Sequence, residues 1–168
     1  MHASLALNAG PIRPGPRAEA STGQGISESP TPRVSAVPEV ASRVRAKYGP
    51  KLGWEQLLEL LQDRECVPWP CEVRFDADPL LPGEFAHTFP NSQTPLEGYR
   101  ICVHPVYEDQ PEVVPYLVLQ QVAFLVLGAG ATPDDAEAFG AACFGLTRDH
   151  YYMVLCDLAA LAGGDELC

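Results

Sequence analysis

No lysine follows Lys51, and from residue 54 onward only four arginines oppose nineteen acidic residues, whereas residues 1–53 carry seven basic residues against three glutamates. A body this acidic is a poor partner for phosphate backbones, where affinity comes mainly from Lys and Arg displacing counterions. No nucleic-acid partner is expected, and the acidity reads as a solvated surface. Long apolar runs are missing too. The main one, residues 115–127, is about 13 residues long, short of the roughly 20 a bilayer-spanning helix needs, so no membrane partner is expected. The start, MHASLALNAG, has no basic region and too short an apolar run for a secretory signal. Without such a signal, the six cysteines are expected to be small buried thiols in a reducing cytoplasm. No C-x-x-C pair is present. The GAGATP segment from Gly128 lacks a following lysine and comes after a helix rather than a strand, so it does not cradle a phosphate.

What is present reads as a leader, one α+β domain over residues 38–163 and a short frayed tail, 164–168. Residues 1–37 are rich in Pro, Gly, Ser and Thr and have no apolar periodicity. Such a composition buries too little surface to offset ordering entropy, which predicts a disordered leader. Val37, Val40, Ala41, Val44 and Tyr48 then make one helical stripe, stopped by Gly49 and Pro50, with Arg43, Arg45 and Lys47 off it as solvated charge. A second stripe, Trp54, Leu57, Leu58 and Leu61, marks a helix over 54–65. Cys71, Val73 and Phe75 alternate with Glu72, Arg74 and Asp76, a half-buried strand; residues 84–89 predict a second strand and 99–104 a third.

The segment 115–127 is apolar on all sides, which marks a helix buried on several faces. Pro115 suits its first turn, Glu108, Asp109 and Glu112 place negative charge ahead of its positive end, and Gly128 and Gly130 stop it. Thr132, Pro133, Asp134 and Asp135 open a further helix with Ala136, Phe139, Cys143 and Leu146 on its apolar face. Thr147 caps a last one over 148–162.

Gln120 and Gln121 interrupt the apolar segment, and Phe124 stands one turn beyond Gln120. With the strand Ile101 to Pro105, the Pro111-Glu112-Val113 lead-in and the helix around Leu119 to Phe124 in that order, residues 71–146 resemble the SprT-like and YgjP-like metallopeptidase-related proteins. The resemblance implies a zincin-like fold, a small three-stranded sheet packed on a core helix. In those proteins that helix carries H-E-x-x-H, two imidazoles one turn apart on a zinc ion and a glutamate general base. Carried over, the first histidine falls on Gln120, the glutamate on Gln121 and the second histidine on Phe124, while a third ligand falls near Gly130. An amide is a poor zinc ligand, a phenyl ring is none, and an amide takes no proton from water near neutral pH. The resemblance therefore implies a catalytically inactive relative with no cofactor. In such relatives the strand ahead of the helix borders the substrate cleft, so an exposed edge there, around Tyr99, Ile101 and His104, is expected to pair with a protein or peptide partner by strand addition. Ala136 to Phe139 is similar to the helix that bears an acidic ligand in ImmA-like peptidases, which places Glu137 in the same groove. Two alternatives stand beside this reading: a metal-dependent hydrolase with ligands from His87, His104, Glu137 or His150, and a structural subunit unrelated to zincins. Cys66 and Cys71, with Cys102 and His104, are weighed as a zinc site; buried glutamines bonded to neighbouring backbone are the plain reading of the core segment.

Overall fold

The computed structural model describes residues 36–163. The proposed leader lies outside the described residues except for Ala36 and Val37, which already belong to the first helix; residues 164–168 lie outside as well. The fold is α+β, with five helices and a three-stranded mixed sheet among the described residues.

Helix α1 (Ala36–Tyr48) buries Val37, Ala41 and Val44, the stripe its sequence spells, and α2 (Trp54–Gln62) buries Leu57, Leu60 and Leu61. α2 stops at Gln62, three residues short of the expected end, because the backbone turns extended at Asp63. That turn holds α1. Lys47 Nζ lies 2.6 Å from Asp63 Oδ2 and 3.1 Å from Glu65 Oε2, Tyr48 donates its hydroxyl to Asp63 at 2.8 Å, and Arg43 donates to the Glu65 carbonyl at 3.0 Å. The Lys47 ammonium first, then the Tyr48 hydroxyl, holds the Asp63 carboxyl well below the usual carboxylate range. So Arg43 and Lys47 are not merely solvated, as their sequence suggested; they tie α1 to the acidic body.

Strands β1 (Cys71–Phe75), β2 (Ala86–Pro90) and β3 (Tyr99–Val103) form a sheet in the order β1-β3-β2, with β3 parallel to β1 and antiparallel to β2. The last strand in sequence is thus the central one. Its entry is fixed by Gly98, at φ 80°, where a Cβ would stand 2.2 Å from the Pro70 carbonyl oxygen. Only glycine fits that approach.

Helix α3 (Val114–Leu127) is the hub, packing on β2, β3 and all four other helices. Every residue from Leu117 to Leu125 is buried, as expected of a helix apolar all round. α4 (Pro133–Phe144) opens with a capping box: Asp135 N–H donates to Thr132 Oγ1 at 3.2 Å and Thr132 N–H donates to Asp135 Oδ2 at 2.9 Å. α5 (Arg148–Leu161) is capped by Thr147. α4 and α5 meet at Gly140, where a Cβ would lie 2.2 Å from the ring of fully buried Tyr151. Tyr116 stacks on Phe144 at 4.2 Å between centroids, and the Tyr151 hydroxyl donates to the Tyr116 carbonyl.

Candidate functional site

The residues that the sequence singled out divide between the core and several separate surfaces. Cross-strand partners share a sheet face, so Cys71, Val73 and Phe75 lie with Tyr99, Ile101, Val103, Ala86 and Thr88 on one side. That side faces α3, because Thr88 Oγ1 donates to Gln121 Oε1 at 3.4 Å. Gln120 is 0% exposed and neither atom of its amide has a partner among the described residues; Gln121 Nε2 also has none. The expected bonds from these amides to neighbouring backbone are not formed. Leaving buried amide groups unmade costs roughly 1–3 kcal/mol, which makes Gln120 a local weakness in an otherwise apolar helix. Phe124 is buried as well, while Gly130 sits in the exposed turn after α3.

The expected open edge beside the core helix is absent at Tyr99 and Ile101. Both lie on β3, which is paired along both sides, so no peptide can add there. Ile101 is fully buried and Tyr99 half-buried. His104 follows the strand and accepts from the Val106 N–H through Nδ1 at 3.2 Å. Glu137 is on α4, whose main neighbours are α1, α3 and α5. It is 6% exposed and accepts from Arg148 Nε at 3.0 Å. Burial pushes its carboxyl upward, against the pull of the Arg148 guanidinium. Glu137 is therefore an ion-pair partner of α5 rather than a neighbour of β3.

The other candidate ligands are scattered. His87 is buried on the opposite sheet face, beside Cys102 in register, with Nδ1 3.5 Å from Glu84 Oε1 and its ring 4.8 Å from that of Phe89. His150 lies exposed in the first turn of α5. Cys71 and Cys102 point to opposite faces of the sheet, so the weighed cysteine-histidine site is not assembled. Among the described residues no three His, Cys, Asp or Glu side chains are grouped to hold a metal ion.

Thiol chemistry is equally muted. Burial pushes Cys71 and Cys143 up to about 12 and raises Cys66 and Cys102, which leaves little thiolate at neutral pH. These four are free and buried as expected, but Cys156 is disulfide-bonded, contrary to the expectation of six reduced thiols. No helix among the described residues is long and apolar enough to cross a membrane.

The sequence does not show that His87 meets Glu84 and Cys102, since the first contact depends on a loop and the second on strand register. A cavity of about 200 Å³ lies at the other end of the sheet, lined by Gln62, Pro70, Cys71, Glu72, Asn91 and Tyr99. Nothing in the alternation of polar and apolar residues announces it. Comparison with family models, with curated proteins and with solved structures finds no match to the chain.

Proposed function

We propose that the chain is a non-catalytic, metallopeptidase-like module that works through contacts with protein, its counterpart of the zinc-binding helix having become core. The observation that carries this reading is the position of Gln120, which is fully buried on α3 with its amide unpartnered. The reading is supported by the three strands followed by the core helix, the order the resemblance implies; on that reading Gln120, Gln121 and Phe124 stand where groups would ligate zinc and activate water. The contact surface does not lie where the resemblance puts it, because β3 is central. Sheet edges remain at β1 and β2, and edges are where an extended chain can add.

The test is metal analysis of the full chain purified without chelator. Zinc well below one ion per chain is expected, and unchanged by His104→Ala or Glu137→Gln. One zinc per chain, lost on either substitution, would establish the metal-dependent alternative instead.

A further inference from the structure

The free edge of β1 carries a self-complementary pattern. The Tyr99 N–H donates to the Pro70 carbonyl at 2.8 Å and the Asp76 N–H donates to the Val103 carbonyl at 3.0 Å. With β1 parallel to β3 in the register Val73↔Ile101, these bonds turn the backbone groups of Glu72 and Arg74 toward β3 and those of Cys71, Val73 and Phe75 outward. Of the outward carbonyls, that of Cys71 accepts from Gln62 Nε2 at 3.0 Å. The N–H and C=O groups of Val73 and Phe75 have no partner among the described residues.

An apolar strip runs beside this edge. α2 lies along β1 with Trp54 against Phe75, 6.1 Å between ring centroids, and Gln62 on Cys71. Two helical turns span about 11 Å and four strand residues about 13 Å, so Leu58, one turn from each end, comes level with Val73 along the strand. Leu58 is 42% exposed, and Trp54, Val73 and Phe75 are partly so.

From this geometry we infer that the β1 edge is a homodimer interface, in which two copies pair antiparallel about a two-fold axis through Val73 and join their sheets into one of six strands. In that register Val73 exchanges both backbone bonds with the Val73 of the second copy, and the Cys71 N–H meets the Phe75 carbonyl. Glu72 then stands opposite Arg74 of the other chain, twice by symmetry. Both side chains are about half exposed and now pair only with each other, Arg74 Nε to Glu72 Oε1 at 3.0 Å, so the dimer exchanges two intrachain pairs, one in each copy, for two interchain ones. A second copy matches this edge where an arbitrary peptide does not, because the order acid-valine-base reads as its own complement when reversed. The inference stands whether or not the chain is related to metallopeptidases.

Sedimentation equilibrium of the full chain at physiological salt tests it. The wild-type chain is expected to dimerise. Arg74→Glu, which sets acid against acid, weakens the dimer about tenfold or more, and the double variant Glu72→Arg/Arg74→Glu restores it to within a few-fold. Val73→Pro removes an outward N–H that β3 does not use and abolishes dimerisation; should that variant fail to fold, the exposed charge variants still decide. A chain that stays monomeric at millimolar concentration overturns the inference, whether or not its edge takes up an added extended peptide. So does a dimer indifferent to Arg74→Glu, or one that the charge swap does not rescue.

Discussion

Gly140 and Tyr151 show how tightly single residues are fitted. A methyl at Gly140 would overlap the buried Tyr151 ring, and backbone on α4 and α5 would have to part to admit it. Gly140→Ala is therefore expected to destabilise the fold by about 1–3 kcal/mol, read by chemical denaturation, despite alanine's higher helix propensity. Tyr107 is a second such point: its fully buried hydroxyl donates to the Leu158 carbonyl, tying the turn after β3 to α5. Tyr107→Phe leaves that carbonyl without its donor and is expected to cost about 1 kcal/mol in the same assay. Neither contact is visible in the sequence, because each joins residues whose separation only the fold closes. The polarity of Gln120 and Gln121 is visible there, and so is the oddity of two amides in an apolar helix. What they touch is not.

At the scale of elements, most of the architecture was legible. The stripe of α1, the alternation of β1 and the Thr132 and Thr147 caps are local patterns, and local patterns survive into the fold. Strand order was not legible, since the third strand enters between the first two and nothing in its own alternation says so. That one feature moved the open edges from β3 to β1 and β2. The clamp between α1 and the turn after α2 was half legible: the sequence shows the basic residues off the apolar stripe, but not that Lys47 reaches Asp63 or that its neighbour Tyr48 does so from 15 residues away. The Asp63 carboxyl is held below its ordinary range in the folded chain, so the stabilisation it gives is complete above its unfolded value of about 4 and is lost as pH falls toward its folded value. Asp63→Asn is thus expected to be less stable than wild type at pH 7, with the gap narrowing as the pH is lowered below about 4. A gap that stays constant from pH 7 to pH 2 would show that the clamp carries no net charge interaction.

For the whole molecule, the distribution of polar groups matters more than their number. The surface of the folded body is acidic, α3, which packs on all four other helices, is apolar, and the residues considered for chemistry are sealed in the core, paired elsewhere or, like His150, exposed apart from the rest. A hydrolytic site needs a ligand set and a water facing a cleft; at Gln120 there is instead packed protein on all sides. The reading of the chain as a contact module rather than a hydrolase stands or falls with that packing. Thermal and chemical unfolding of Gln120→Leu probes it directly. If the amide is a remnant buried without use, leucine of similar size removes an unmet polar group and raises stability by about 1 kcal/mol or more. Should the substitution instead lower stability by a similar amount, the amide has a partner in solution, and Gln120 belongs to a working polar site.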